Sequence, residues 1–454
     1  MTLSVHPDAA ARVEELTVRA LDALSFEVPP EAARDSGYAP AIPIAAAIGP
    51  NDIRGPIVGS HTDRFGRDIV RHYADAGHIL VLAGPGFRDF EQAVRTLHGQ
   101  RSVREVTSEA TIGRLVFEWI CATRLQGPGE PLLAFVDSKL ATLVRETEIV
   151  LPIFGLHIET PLVVGMVTFS DISEEELATW RARSCRSAPE HLAAANEIHD
   201  KLGPRLQGRA AARFKAVAEA DYAVERGTEQ AELSLALLRL ASVGAFMPER
   251  STTFALAGRE GLARGIHLEL GPDDSFSSSE YIVHPDDQRP LVLDETQVRQ
   301  HILPVIAHWA SLLTKATLTP FENAALKSVL LYSRATRYRN VSEKLIHIFA
   351  AIESLLLRNE NEPISVTVAD RLAFAVGQNA DDRMGIVRNL RDVYAMRSRF
   401  VHHALETAPD GEALAKLESF LVTISQFFLN FRKEFTLHET KEGFIEALER
   451  RKYA

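Results

Sequence analysis

The chain reads Val-Ser-Glu-Lys-Leu-Ile-His-Ile-Phe-Ala-Ala-Ile-Glu-Ser-Leu-Leu-Leu from Val341 to Leu357. Apolar residues recur there every three or four positions, which predicts an amphipathic helix with one wide apolar face. Similar patterns continue from about Asp294 almost to the end of the chain, separated by prolines and a glycine. The predicted helices are Thr296–Thr314, Phe321–Arg337, Val341–Leu357, Val366–Val376, Ile386–Leu405 and Glu412–Phe435. They predict a helical bundle in the C-terminal third.

The sequence before Asp294 mixes strand-like and helix-like patterns. Its clearest strand signals are the β-branched segments Glu148–Leu156 and Leu162–Phe169, which predict a hairpin or two neighbouring strands. The predicted fold class is therefore an α+β N-terminal region followed by an all-α helical bundle at the C-terminus. We expect three domains: a mixed α/β segment over 1–130, a β-containing α+β domain over 131–293, and the bundle with a C-terminal tail over 294–454.

Composition excludes several classes of protein. The 454 residues carry a net charge of −11, which argues against a surface coated with basic residues, although a local basic site is compatible with it. The two cysteines, Cys121 and Cys185, form no CxxC pair and therefore predict no disulfide framework, as in a reducing cytoplasm. The sequence contains no P-loop, HExxH or GxSxG motif. Its apolar stretches are too short to span a bilayer, so we expect a soluble cytoplasmic protein without membrane contact.

Two charged residues fall on the apolar faces of predicted helices. Arg397 lies on the apolar stripe of Ile386–Leu405, and Glu353 lies on that of the quoted segment. An unpaired buried charge is costly, so each residue requires an opposite charge or a pocket. We expect a buried pair between Arg397 and Glu353, with Arg371 as a competing partner of Glu353. The pair would either fix the helix register or serve a functional site.

A short motif ends the fifth predicted helix, Tyr394-Ala-Met-Arg-Ser-Arg-Phe-Val-His402-His403. It resembles the signature helix of HEPN domains, an arginine followed after four to six residues by a histidine, and in particular that of the ApeA-like HEPN group. The positions that match the group are Tyr394, Arg397, Ser398, Val401 and His402, whereas Phe400 replaces an aliphatic residue and His403 a glycine. The segments around Glu353 and Arg371 resemble two further helices of the group. The resemblance covers about residues 320–436, with a weaker likeness upstream.

The resemblance implies a HEPN-type bundle and a metal-independent endoribonuclease that acts as a homodimer, with two signature helices facing each other. RNA supplies its own nucleophile, the 2′-hydroxyl. His402 would act as general base or acid, and Arg397 would hold the scissile phosphate. Glu353, Ser398, Tyr394 and Arg371 would support them. The products would carry a 2′,3′-cyclic phosphate and a 5′-hydroxyl, and no metal or other cofactor is expected.

Helix geometry leaves a second pair open. Arg397 and His402 are five residues apart, about 140° around an ideal helix, so the helix ends or distorts near His402 or a second subunit completes the site. Arg399 and His403 are four apart and share a face, which makes them the backup pair.

A basic cluster elsewhere in the predicted bundle is a weaker candidate for binding RNA. Arg334, Arg337 and Arg339 alternate with Tyr332 and Tyr338. Arginine and tyrosine suit phosphate contacts and base stacking, so we predict RNA-backbone contacts there.

Three functions remain open at this stage. In ApeA-like proteins this arrangement is associated with anti-phage defence through cleavage of tRNA or mRNA. We accordingly expect an effector whose N-terminal region restrains the bundle or senses a phage-derived or small-molecule trigger. The alternatives are a non-catalytic HEPN module that binds a nucleotide or partner protein, and a helical oligomerisation domain attached to an unrelated ligand-binding region. The presence of both Arg397 and His402 favours the enzyme.

Overall fold

The structure of the chain is a computed structural model. It describes residues 4–27, 57–75, 78–187, 192–252, 254–257, 263–270, 276–283, 291–406, 410–434 and 437–453. The chain divides into two compact units, Met1–Glu148 with Lys215–Arg226 and Ile149–Phe214 with Gly227–Ala454. The second unit therefore combines most of the predicted second domain with the predicted helical domain.

The first unit contains an antiparallel sheet and five helices among its described residues. Its elements are α1 (Pro7–Asp22), β1 (Ser25–Glu27), β2 (Ile57–Thr62), β3 (Asp68–Asp75), β4 (His78–Ala83), α2 (Gly84–His98), α3 (Arg101–Arg104), α4 (Glu109–Gln126) and α5 (Leu132–Leu143). The strand order is β1-β4-β3-β2, with every neighbouring pair antiparallel. Alternation along β4 buries Leu80 and Leu82 in one core with Phe90 and Phe117. An α+β N-terminal region is thus confirmed.

The chain from Arg145 to Leu293 adds a second set of strands. Its elements are β5 (Arg145–Phe154), β6 (Leu156–Ile158), β7 (Leu162–Val164), β8 (Val167–Asp171), α6 (Glu174–Ser187), α7 (Leu192–Leu206), β9 (Ala210–Ala218), α8 (Ala220–Arg239), β10 (Ala255–Leu256), β11 (Ala263–Leu270), β12 (Phe276–Val283) and β13 (Leu291–Leu293). Five of the strands form one sheet in the order β10-β5-β9-β8-β7. Strands β11 and β12 pair antiparallel, and β13 pairs parallel to β6.

The predicted pairing of Glu148–Leu156 with Leu162–Phe169 is wrong. The second segment is itself a tight hairpin, in which β7 pairs antiparallel with β8 and Val164 lies opposite Val167. Gly165 occupies the turn with a φ of +63°, a backbone conformation that glycine adopts without steric cost. Strand β5 lies instead between β9 and β10. The β-branched composition of Leu162–Phe169 predicts one continuous strand, but Gly165 within it forms a turn.

The C-terminal region is helical, as predicted. Its elements are α9 (Glu295–Gln297), a π-helical turn (Val298–Ile302), α10 (Leu303–Thr314), α11 (Pro320–Ala335), α12 (Val341–Leu356), α13 (Ile364–Val376), α14 (Ala380–His403), α15 (Gly411–Glu434) and α16 (Lys441–Tyr453). Thr319 and Glu322 form a reciprocal capping box at the start of α11, and Asn340 caps α12. These caps explain why the helices begin where the turn residues predict.

The predicted C-terminal tail is an ordered helix, which the sequence pattern did not indicate. Phe444, Ile445 and Leu448 of α16 are buried, and the ring of Phe444 stacks on Phe321 at 5.3 Å between centroids. Three buried apolar residues make a short pattern, and the many charged residues of the helix resemble those of a solvated end. Docking against α11 and α13 orders it.

The described helices differ in length and in apolar content. None of them combines the length and the apolar character needed to cross a membrane.

Candidate functional site

Helix α14 carries the predicted signature motif and has well-defined ends. Asn379 caps its first turn by accepting a hydrogen bond from the Asp382 amide at 2.9 Å. The helix ends after His403, where Ala404 adopts a left-handed conformation with a φ of +52° and its amide donates to the Phe400 carbonyl at 2.9 Å. The helix is therefore regular through both histidines, and no distortion brings His402 around to the side of Arg397.

Arg397 lies beside α12 and is half-buried. Its guanidinium is 5.7 Å from the centre of the Tyr394 ring, and Tyr394 contacts Phe349 edge-on at 5.2 Å. Among the described residues, its Nε is buried without a hydrogen-bond partner. A half-buried guanidinium with an unused donor can accept an anionic ligand without first breaking a salt bridge.

Glu353 lies on α12 near Arg397, but the predicted buried pair is wrong, because both side chains are half-buried and form no direct ion pair within the described structure. Burial raises the pKa of the Glu353 carboxyl, and the positive charge of Arg397 opposes that shift. Oε1 of Glu353 is buried and has no hydrogen-bond partner among the described residues. The two groups are thus close enough to interact electrostatically while each retains hydrogen-bonding capacity. This arrangement differs from a closed structural salt bridge, in which the donors and acceptors would satisfy each other.

Arg371 does not compete for Glu353, contrary to that expectation. Its guanidinium binds Glu362 at 2.7 and 2.8 Å and Glu449 of α16 at 2.9 Å, and it donates to the Leu356 carbonyl at 2.6 Å. The side chain is 8% exposed. Four oxygen atoms of three residues satisfy this buried charge, so Arg371 joins α13 to α16 and to the end of α12. Its contacts include none of the signature residues.

His402 and His403 are both exposed at the C-terminal end of α14, with ring centres 6.4 Å apart. Arg399, of the backup pair, is also exposed, whereas Ser398 is half-buried. Because the helix is regular, Arg397 and His402 point about 140° apart within one chain. Arg399 and His403 remain neighbours on one exposed face, as their spacing predicts.

The basic cluster follows the end of α11 and reaches into α12. Tyr338 stacks on His347 with ring centres 4.9 Å apart and planes at 15°. Burial lowers the pKa of His347, Arg334 and Arg337 lower it further, and Glu343 opposes them. The two arginines therefore lie near this stacked pair. Arg339 is exposed beside them in sequence.

One member of that cluster is not available to RNA. Tyr332 is 2% exposed, its hydroxyl donates to the Ala245 carbonyl at 2.9 Å, and its ring stacks on Phe428 at 4.9 Å. It belongs to the core, so its predicted role in base stacking is wrong. The apolar spacing of α11 places it inward, and His347, which the sequence prediction omitted, takes its place beside Tyr338.

The basic cluster and the two histidines lie at the same end of the bundle. Nδ2 of Asn340, which follows the cluster in sequence, donates to Oε1 of Glu406 at 2.9 Å, three residues after His403. This hydrogen bond joins the start of α12 to the end of α14. The arrangement places exposed imidazoles and an arginine-rich turn on one region of the surface, a combination that suits a polyanion.

A further set of arginines was not predicted. Helix α14 contains five arginines against three aspartates, and Arg388 and Arg391 are exposed on its outer side. Arg388 and Arg391 are three residues apart, and Arg391 and His402 are eleven residues apart. Both spacings are close to a whole number of helical turns, so the three residues lie on the outer face of the helix. The spacing of these arginines in the sequence indicates a basic outer face, whereas the prediction used only the apolar stripe on the inner face of the helix.

Comparison with protein-family models, curated proteins and solved structures gives no match for this chain.

Proposed function

We propose that this protein is a metal-independent endoribonuclease whose C-terminal helices form a HEPN-type bundle, acting as a dimer. The observation that carries the proposal is the common location of His402 and the arginine-rich turn, joined through Asn340 and Glu406. This location supports RNA as the substrate, because a row of basic groups can bind the phosphate backbone while an exposed imidazole transfers protons. The resemblance of the Tyr394–His403 run to the HEPN signature supports the same reaction.

The reaction uses the 2′-hydroxyl of the RNA as nucleophile. His402 either removes the proton from this hydroxyl as general base or protonates the leaving 5′-oxygen as general acid, and water takes up or supplies the other proton. Arg397 donates hydrogen bonds to the scissile phosphate as negative charge accumulates on it. The bond between phosphorus and the 5′-oxygen breaks, leaving a 2′,3′-cyclic phosphate and a 5′-hydroxyl.

Glu353 serves as a positioning residue for Arg397. Its carboxyl lies near the guanidinium without forming a direct ion pair, so the donors of Arg397 stay available to a phosphate. The site as a whole requires a second chain, because one helix directs Arg397 and His402 to different sides. Two signature helices facing across a two-fold axis would bring His402 of one copy toward Arg397 of the other.

The experiment is digestion of tRNA and mRNA by the purified full chain in excess EDTA, with analysis of the product ends. We expect cyclic phosphates and 5′-hydroxyls, and loss of cleavage in His402→Ala and Arg397→Ala. His301→Ala is the matched control, because His301 is an exposed histidine of the same unit outside the site. Cleavage that persists in both site variants refutes the assignment of these residues.

The non-catalytic alternative gives a different result in the same experiment. A HEPN module that only binds RNA or a nucleotide would retain RNA without producing new ends, and His402→Ala would not alter the products. A phage-derived or small-molecule trigger acting on the N-terminal region is tested by adding extract from infected cells to the inactive protein. Cleavage that appears only then, and requires His402, identifies a regulated effector.

A further inference from the structure

A cavity of about 670 Å³ opens between α13 and α14, away from the signature residues. The outer face of α14, with Arg388 and Arg391, lines one side of it, and Phe374 of α13 lies on another. Arg391 precedes His402 by eleven residues, about 16 Å along the helix axis. The cavity is therefore distinct from the proposed catalytic site, although the same helix serves both.

The charges of the cavity favour an anion. Its two carboxylates are each neutralised by a lysine, Asp370 by Lys452 at 3.0 Å and Asp392 by Lys416 at 2.8 Å. Three arginines remain in the lining, Arg383, Arg388 and Arg391. Exposed Arg388 and Arg391 have no hydrogen bond or ion pair with any residue that the structure describes. The uncompensated charge inside the cavity is thus positive.

An apolar wall lies beside these arginines, partly on the same face of α14. It consists of Phe374, Met384 and Val387, and Met384 is 57% exposed, which is unusual for a large apolar side chain beside so many charges. The guanidinium of Arg383 lies 4.7 Å from the centre of the Phe374 ring, and its Nε donates to the Gly377 carbonyl at 3.2 Å. Arg383 is held in place as part of the wall, whereas Arg388 and Arg391 are left to contact a ligand.

We propose that this cavity binds a nucleotide, with the phosphate on Arg388 and Arg391 and the base against Met384 and Phe374. A volume of about 670 Å³ lies in the range of small-molecule sites. An inorganic anion would use the arginines but not the apolar wall, and an apolar ligand would leave the arginines unpaired. A nucleotide has a phosphate and an aromatic base, which match both halves. It can be a free nucleotide or one unit of an RNA strand, and the proposal does not depend on ribonuclease activity.

The test is calorimetric titration of the full chain carrying His402→Ala, so that RNA remains intact. The probes are AMP, ATP, inorganic phosphate and a ten-nucleotide oligouridylate at one ionic strength. We expect a nucleotide probe to bind at least about tenfold more tightly than phosphate, because the base buries apolar surface. Arg388→Ala and Arg391→Ala should each weaken this binding about tenfold. Met384→Ser should weaken nucleotide binding and leave phosphate binding unchanged.

The control is Arg450→Ala, which removes an 84% exposed arginine of α16 outside the cavity. Binding of AMP or ATP identifies a free nucleotide as the ligand. Binding of the oligouridylate alone, with the same sensitivity to the arginine variants, identifies RNA. Absence of binding by all probes, or equal binding by the wild type and the cavity variants, overturns the proposal. The ribonuclease proposal is tested separately, by assaying RNA cleavage with the chain that retains His402, since these titrations measure binding alone.

Discussion

Replacing Lys344 by methionine should destabilise the second unit more than any exposed lysine substitution. Lys344 is 1% exposed, and its ammonium donates to the carbonyls of Gly244, Met247 and Arg250 at 3.1, 2.9 and 2.7 Å. Burial lowers the pKa of Lys344 to about 8, so the side chain is still protonated at pH 7 and can donate three hydrogen bonds. The lysine thereby fastens the segment after α8 to the start of α12.

The magnitude follows from what methionine leaves behind. Three carbonyls lose their donor, that of Gly244 in a buried hydrogen bond and those of Met247 and Arg250 in partly buried ones. Each unsatisfied buried group costs about 1–3 kcal/mol. Methionine fills a similar volume and no longer requires burial of an ammonium, which offsets part of this loss. We therefore expect Lys344→Met to lower the free energy of unfolding by about 3–5 kcal/mol, the cost of the unsatisfied carbonyls less this offset.

The assay is guanidinium unfolding followed by tryptophan fluorescence, with Trp119 and Trp180 replaced by phenylalanine. The signal then comes from Trp309, which is 1% exposed in the bundle. Lys327→Met is the matched control, because Lys327 is an exposed lysine of α11. If Lys344→Met unfolds within about 0.5 kcal/mol of this control, the three hydrogen bonds do not hold the segment and the reasoning is refuted.

Three further predictions concern stability and its separation from activity. Burial raises the pKa of Glu353 above its ordinary value of 4.5, so the folded protein binds this proton more tightly than the unfolded chain does. The wild type should therefore lose stability relative to Glu353→Gln as pH rises through that raised value. Urea midpoints of the two proteins that move in parallel between pH 4 and 8 would contradict this. Gly385→Ala should stabilise α14 by about 0.5–1 kcal/mol, because nothing lies within 4 Å of the added Cβ. Gly244→Ala should destabilise the protein by about 1–3 kcal/mol, since its Cβ would meet the Thr336 carbonyl and lie 2.8 Å from the Thr252 amide. Equal melting temperatures of Gly244→Ala and the wild type would show that the loop around Gly244 adjusts. Arg371→Met should lower the free energy of unfolding by about 3 kcal/mol without changing the pH profile of RNA cleavage by the folded fraction. A changed profile at unchanged stability would show that Arg371 belongs to the proposed catalytic site.

The fold could be predicted wherever a local pattern determines it. Helices α11 to α15 begin and end within a few residues of their predicted positions, except α14, which begins six residues earlier because Asn379 caps a polar first turn. Pairing between distant strands could not be predicted, because β5 finds its neighbours β9 and β10 far along the chain. Helix α16 was missed for a related reason, since its order depends on contacts with α11 and α13 rather than on its own short pattern.

The candidate site could be predicted in part for the same reason. The position of Glu353 opposite Arg397 follows from two charges on two apolar stripes, and the structure brings the two groups near each other. The periodicity could not identify the partners of Arg371, because Glu362 and Glu449 are nine and 78 residues away. It does place Tyr332 on the buried face of α11, in line with Ala325 and Val329, so the burial of this residue could be predicted.

The last prediction tests whether two chains share each proposed catalytic site. Because α14 is regular through His403 and directs Arg397 and His402 about 140° apart, a phosphate held by one is out of line with the other in the same chain. If each site takes Arg397 from one copy and His402 from the other, then a heterodimer of Arg397→Ala with His402→Ala contains one complete site.

Mixing the two inactive variants under conditions that exchange subunits should therefore restore about a quarter of the wild-type cleavage, since half of the dimers are mixed and each has one of two sites. A mixture of His402→Ala with an Arg397→Ala, His402→Ala double variant is the control, because none of its dimers retains a histidine at the site. If the first mixture stays as inactive as this control while co-purification of differently tagged copies shows mixed dimers, both residues must act from the same chain. Helix α14 would then have to change shape at its end when RNA binds, and the exposed backup pair Arg399 and His403 would become the stronger candidate, because those two residues share a face without any rearrangement.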